Sequence, residues 1–442
     1  NSWSEKKRSQ YIPMYLNPDG LKLAKYVIKH NRPPLVFSNE IITLKEKLAK
    51  VCDGEAFVVQ GGECAESVDE YDTNHMIDLF KTLIVMSLIV SYDINKPVVK
   101  IARAAGQYAK PRTNQFEKKG AVELPSYFGD IMNSKDFSYS GRVVSESRII
   151  KAHDMSANTM NMIRAMSTSG YFSLERIHEW IPPIIDNALH DKVKWHYNSR
   201  LEAIQKSVEF MKNCGVARGS NIREPELYTS HEALLLDYEE SMVRKDSITD
   251  DMFDCSAHFV WLGERTRDLD GQHVEFLRGI GNPIGIKVSK NTDIEELDDI
   301  IRVLNPENEK GKITLICRYG YDDIHEYFPL LLKEMKKTTY NIVYMVDPMH
   351  GNTYTLSNGF KTRDFEHIMS ETSQFFEICK EYDVYPGGIH IEMTGNDKSK
   401  ECVNGLAKTT DADVEMYFQS NCDPRMNYSQ CIEYALNIAS FL

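Results

Sequence analysis

Short apolar runs of four or five residues recur along the chain, and each gives way to charged or glycine-rich residues. The eight clearest are Phe57–Gln60, Val98–Ile101, Glu226–Thr229, His258–Leu262, Gly285–Val288, Thr314–Cys317, Ile342–Val346 and Gly388–Ile391. Their apolarity is continuous and does not alternate, which marks strands covered on both faces, as in a parallel sheet. Helical periodicity fills most of the intervals, at Ile77–Val90, Asp293–Leu304, Asp322–Met335, Asp364–Lys380 and Gln430–Leu442. Strands alternating with helices, with polar residues at the C-terminal strand ends, predict an α/β chain folded as a (β/α)8 TIM barrel. A doubly wound sheet is the competing arrangement, but no G-x-G-x-x-G turn joins a strand to a helix here.

Two regions exceed what a minimal barrel needs. Residues 1–50 form an N-terminal extension punctuated by Pro33-Pro34, and residues 51–442 are assigned to the barrel. Within it, residues 140–220 separate the second and third strands by more than an ordinary connection. Helical patterns at Ala152–Met166, Leu174–Asp186 and Ser199–Cys214 make this stretch a helical insertion. Such additions serve as subunit contacts, regulatory elements or extra core.

With 52 Lys and Arg against 65 Asp and Glu, the net charge is −13, which argues against nucleic acid or an anionic membrane as the main partner. Any cationic site must therefore be local. The nine cysteines are scattered without C-x-x-C spacing, as expected in a reducing compartment. No apolar run reaches the roughly 18 residues of a membrane helix. These features predict a cytoplasmic protein, or an organellar one if a transit peptide has been removed, since the chain begins at Asn1.

Chemistry concentrates at the strand ends. Cys64 follows Gly61-Gly62, His350 closes the turn Asp347-Pro348-Met349-His350, Glu392 ends GGIHIE, and Asp423 follows Cys422. A thiolate, an imidazole and two carboxylates form a mixed soft and hard ligand set suited to Mn, Fe, Co or Zn. Singly, a buried Cys is a small hydrophobe and a strand-end His is a hydrogen-bonding group; convergence on one barrel face favours a metal. Cys422 and His390 are neighbouring alternatives, and His390 is placed to orient a ligand. A second set, Arg103, Lys110, Arg112, Arg265, Lys287 and Arg318, follows or interrupts apolar segments, where an unpaired charge would be costly. Internal ion pairs with Glu264, Glu232 or Asp130 are one explanation, and a bound anion is the better one for the whole set. In AGQYAKPRT (105–113), Arg112 and the Thr113 hydroxyl suit a phosphate.

The chain resembles the type II family of 3-deoxy-D-arabino-heptulosonate 7-phosphate (DAHP) synthases nearly from end to end. The resemblance rests on QGGECAES, AGQYAKPR, LPSYFGD, TSHEALLLDYE, SAHFVWLGERTR, LDGQHVEFLRG, NPIGIKV, DPMHGNT, GFKTR, GGIHIEMTG and CDPRMN, in that order. It implies a TIM barrel that condenses phosphoenolpyruvate with erythrose 4-phosphate and water, at the first step of the shikimate pathway. It also implies a divalent metal, Mn2+ first and Co2+, Fe2+ or Zn2+ as alternatives, on Cys64, His350, Glu392 and Asp423. Phosphoenolpyruvate would be held by Arg103, Lys110, Glu264, Arg265, Lys287 and Arg318, and erythrose 4-phosphate by Lys110, Arg112 and Thr113. Lys110 or Lys287 would donate the proton, with Glu264 ordering the water.

The family string at 125–130 usually carries Arg where this chain has Phe128, which points to weaker erythrose 4-phosphate binding or another aldehyde in a secondary pathway. The extension and insertion imply a homodimer or homotetramer and sites for Trp, Phe or Tyr as feedback effectors. A non-catalytic barrel that senses aromatic metabolites or scaffolds a chorismate mutase is the reading from another class; it predicts a missing site residue, and none is missing.

Overall fold

All eight runs are strands of one closed parallel barrel in the computed structural model, which describes residues 2–174, 176, 191–214, 225–438 and 440–441. The strands are β1 (Phe57–Gly62), β2 (Val98–Arg103), β3 (Tyr228–Glu232), β4 (Phe259–Leu262), β5 (Ile284–Val288), β6 (Ile313–Cys317), β7 (Ile342–Val346) and β8 (Pro386–Glu392). They neighbour one another in chain order, and β1 closes on β8 in a register running from Val58 opposite Gly388 to Gly62 opposite Glu392. This is the predicted (β/α)8 architecture. The third strand starts later than its apolar run suggested and continues through Ser230, His231 and Glu232. Those polar residues stay in the sheet because the barrel supplies partners: Ser230 Oγ accepts from Gln60 Nε2 at 2.9 Å and donates to the Ala102 carbonyl at 3.0 Å.

Alternation along each strand sorts side chains between the barrel interior and the helical shell. Val58, Val99, Ile101, Tyr228, Phe259, Trp261, Ile316, Val343 and Met345 form one interior cluster, separate from the larger strand–helix core. Leu44, Leu48 and Val51 belong to the same cluster, so the helix Ser38–Cys52 plugs the N-terminal end of the barrel. Continuing the alternation upward places Arg103, Glu232, Lys287, His390 and Glu392 around the C-terminal end, all but Glu232 buried.

The first residues of the N-terminal stretch run to the opposite end. Ser9 Oγ donates to the Arg265 carbonyl at 3.4 Å, and the Arg112 N–H donates to the Tyr11 carbonyl at 3.1 Å. In the insertion, the helix Ser147–Thr168 lies against Pro18–Asn31, and Asp191–Asn213 lies against Thr73–Ile94 with Leu201, Ile204 and Val208 in the core. The Leu174–Asp186 pattern falls, apart from Leu174 and Arg176, outside the described residues. Among the described residues, no helix is long and apolar enough to cross a membrane.

Candidate active site at the C-terminal end of the barrel

Two cavities meet above the strands. The first, about 600 Å3, is lined by all six residues expected around phosphoenolpyruvate: Arg103, Lys110, Glu264, Arg265, Lys287 and Arg318. The second, about 730 Å3, is lined by Lys110, Arg112 and Thr113, together with Lys118, Lys119 and Lys361. Lys110, Pro111, Glu232, Arg265 and His350 line both, so the two cavities share a wall of charged groups.

Arg103 is 1% exposed. Its guanidinium donates to the Glu63 carbonyl at 3.0 Å, to His390 Nε2 at 2.6 Å and to Glu392 Oε1 at 2.9 Å, and it lies 5.0 Å from the Trp261 ring centroid. Because His390 Nε2 accepts from Arg103, its Nδ1 carries the proton and donates to Gln60 Oε1 at 2.7 Å. Lys287 pairs with Asp347 and also sits over Trp261, 5.7 Å from the centroid. Burial lowers its pKa from the ordinary 10.5 to about 8, against the pull of Asp347. Arg318 pairs with Glu264 and donates to the His350 carbonyl at 3.1 Å. Of the ion-pair partners considered from sequence, Glu264 fills that role. Asp130 instead accepts from the backbone N–H groups of Val68 and Asp69 and from the Ser67 and Tyr127 hydroxyls. Glu232 is raised by burial, with Lys110, Lys287 and Arg265 opposing that rise.

The expected metal ligands occupy the same floor. His350 Nε2 stands 3.1 Å from Glu392 Oε1, and its Nδ1 donates to Asp347 at 2.7 Å, which fixes the ring. Lys110 Nζ lies 3.3 Å from Asp423 Oδ2 and 3.9 Å from Glu392 Oε1. Burial alone would lower its pKa, but Asp423, Glu392 and Cys64 hold it above the usual value. The Cys64 sulfur is fully buried, 2.9 Å from the Ser420 hydroxyl, and burial pushes its pKa up to about 12. The structure thus brings His350 to Glu392 directly and links Asp423 to Glu392 through Lys110, while Cys64 turns to Ser420. Among the described residues, no three His, Cys, Asp or Glu side chains form an arrangement that could hold an ion.

The profile of the Class-II DAHP synthetase family matches residues 1–439. A phospho-2-dehydro-3-deoxyheptonate aldolase of Streptomyces coelicolor is 39% identical over 439 residues, covering 99% of this chain and 96% of the relative. The phospho-2-dehydro-3-deoxyheptonate aldolase AroG of Mycolicibacterium smegmatis is 37% identical over 431 residues, covering 96% of this chain and 91% of the relative. The chain belongs to the class-II DAHP synthetase family.

Several residues of this candidate site escaped the sequence reading. Arg267 lines the first cavity and donates to the Lys287 carbonyl. Arg363 is fully buried and donates to Glu392 Oε2 at 2.7 Å. Tyr11, from the N-terminal stretch, also lines the first cavity. Asp347 and Trp261 were legible in principle, since each continues the inward alternation of its strand. Arg363 comes from a short hairpin strand after β7, Lys361–Arg363, and Tyr11 from a loop, neither of which belongs to the barrel alternation. Phe128, where the resemblance led one to expect Arg, is 2% exposed in the core and is not among the residues lining either cavity. Its backbone does the local work: the Phe128 carbonyl accepts from the Lys110 N–H at 2.8 Å.

Proposed function

We propose that this member of the class-II DAHP synthetase family condenses phosphoenolpyruvate with erythrose 4-phosphate and water, giving DAHP and phosphate. The observation that carries the reading is the pair of adjoining cationic cavities that share Lys110, one for each phosphorylated substrate. Arg103, Arg265 and Arg318 neutralise and orient phosphoenolpyruvate, while Arg112 and Thr113 hold the phosphate of the aldose. Lys287, with a pKa of about 8, is better matched to giving up a proton near neutrality than Lys110, which its carboxylate neighbours keep charged. Glu264, beside Arg318, orders the attacking water.

Cys64, His350, Glu392 and Asp423 suit a divalent cation by the chemistry of their donors and not by their present spacing, in which Lys110 stands between Asp423 and Glu392; Mn2+ comes before Co2+, Fe2+ or Zn2+. Such an ion, when bound, supplies Lewis-acid polarisation of the aldehyde carbonyl. The N-terminal extension and helical insertion are assigned to homodimer or homotetramer contacts and to feedback by Trp, Phe or Tyr, with a chorismate mutase as a further partner. Calorimetry with the three amino acids, alone and combined, tests the feedback, and no heat in any mixture removes it. The nine free cysteines fit a reducing, cytoplasmic setting.

The burial of Phe128 away from both cavities gives no support to a different aldehyde in a secondary pathway. The deciding experiment follows phosphoenolpyruvate loss and phosphate release with erythrose 4-phosphate, with other aldose phosphates and with none. Turnover is expected with erythrose 4-phosphate and divalent metal. Its absence under those conditions overturns the reading.

A further inference from the structure

Two buried glutamates outside the substrate cavities accept hydrogen bonds from the backbone of the loops that build them. Glu66, 5% exposed, follows β1. Its Oε2 accepts from the Ala105 N–H at 2.9 Å, and its Oε1 accepts from the N–H groups of Gly106 and Gln107 at 2.9 and 2.7 Å. Its own N–H donates to the Gln107 carbonyl at 2.8 Å, so the two loops grip each other. Three successive N–H groups converging on one carboxylate form an anion nest. Ala105 adopts φ 62°, a left-handed conformation that a residue with a Cβ rarely takes without support. The adjoining Gly106 is also fixed, since a Cβ there would stand 2.3 Å from His231 Nδ1. Lys110, Arg112 and Thr113 follow within this loop.

Glu371 repeats the device on the other side of the barrel. It is fully buried in the helix Phe365–Glu381. Its Oε1 accepts from the N–H groups of Tyr319 and Gly320, both at 2.9 Å, and its Oε2 accepts from Asn352 Nδ2 at 2.7 Å. Asn352 in turn accepts from the Tyr321 N–H at 3.0 Å. The loop after β6, which begins with Arg318, is thereby tied to the loop after β7, which carries His350. The two backbones touch, since a Cβ on Gly351 would lie 2.4 Å from the Gly320 nitrogen. Burial works against a charge on Glu371, but the three groups facing it are all donors and oppose that effect, and a proton on it would find no acceptor. Both sites therefore require a group that only accepts. A glutamine would turn an NH2 against an N–H or an amide donor.

We propose that Glu66 and Glu371 are positioning residues that divide the site between them, Glu66 fixing the loop of Arg112 and Thr113, which line only the second cavity, and Glu371 fixing that of Arg318, which lines only the first, while Lys110 and His350 on the same loops line both. The assignment of each loop to one substrate rests on the proposed condensation; the clamping itself does not. Glu66→Gln and Glu371→Gln are compared with wild type by steady-state kinetics in both substrates and by amide hydrogen exchange. Glu66→Gln is expected to raise the KM for erythrose 4-phosphate about tenfold more than that for phosphoenolpyruvate, and Glu371→Gln the reverse. Exchange should accelerate at residues 105–107 only in the first variant and at 319–320 only in the second. A merely structural loss would move both KM values and both segments together in either variant, and that result overturns the proposal. If wild type shows no turnover, the condensation reading fails, while the exchange pattern still decides the clamping. Should the Gln variants not fold, Glu66→Asp and Glu371→Asp serve the same comparison. In wild type alone, amides 105–107 and 319–320 exchanging as fast as open loops would also sink it.

Discussion

Replacing Lys287 by methionine removes a single charge from the first cavity while keeping a side chain of similar length. Lys287 is 5% exposed and paired with fully buried Asp347. Asp347 would not be left bare, because the N–H groups of Met349 and His350 donate to it at 3.0 and 3.2 Å and His350 Nδ1 at 2.7 Å. Losing the partner of Asp347 and relieving the cost of burying the ammonium oppose each other, so the net stability change should stay within about 3 kcal/mol, below the 3–5 expected when a buried charge is stranded. The catalytic loss should be larger. A unit charge about 4 Å from an anion contributes about 4 kcal/mol at an effective dielectric of about 20, or roughly a thousandfold in kcat/KM for phosphoenolpyruvate. The pH profile gives the sharper reading. With a pKa of about 8, the wild-type ammonium is lost just above neutrality, so activity should fall about tenfold per pH unit on the alkaline side. Lys287→Arg, which cannot deprotonate in this range, should lose that limb whatever its absolute rate. For stability the sign is the opposite of a favourable pair. The folded pKa lies below the unfolded 10.5, so Lys287 costs stability below about pH 8, and the cost fades as pH rises towards 10.5. Phosphate release by wild type and both variants across pH is the assay. An alkaline limb unchanged in Lys287→Arg, or a Lys287→Met rate within about tenfold of wild type, would refute the reasoning.

Further outcomes follow from the same geometry. Cys64→Ala should abolish metal-dependent turnover with little change in melting temperature, since it deletes one proposed ligand at a loop; activity that survives both this change and exhaustive chelation removes the metal role. Arg112→Ala should raise the KM for erythrose 4-phosphate about tenfold or more while leaving that for phosphoenolpyruvate nearly unchanged, because Arg112 lines only the second cavity. Arg363→Ala removes the donor to Glu392 Oε2 while Arg103 still donates to Oε1, so it should cost about 1–3 kcal/mol, read from chemical denaturation. Phe128→Arg, which restores the residue expected from the family string, should destabilise by several kcal/mol and leave the aldose KM no lower, because the position is buried in the core.

The continuous apolar runs were sufficient for the barrel, because a strand covered on both faces must be apolar at every position, and eight such strands with helices between them close in only a few ways. The site cations were legible for the complementary reason, as Arg103 and Lys287 interrupt segments where a charge is tolerated only if something answers it. The third strand was misplaced at its ends because apolarity marks where a strand is easy, whereas Ser230 and Glu232 stay in the sheet through partners contributed by β1 and by the cavity. What the linear pattern decided was which residues point inward, since that depends on a period of two along one strand. What only the folded chain decided was who meets whom: that Lys110 stands between Asp423 and Glu392, that Arg363 reaches Glu392, that the segment around Tyr11 crosses to the barrel mouth, and that Glu66 and Glu371 grip loops distant in sequence. Those contacts join segments separated by up to some three hundred residues through hydrogen bonds and charge, and no local periodicity records a partner so far along the chain.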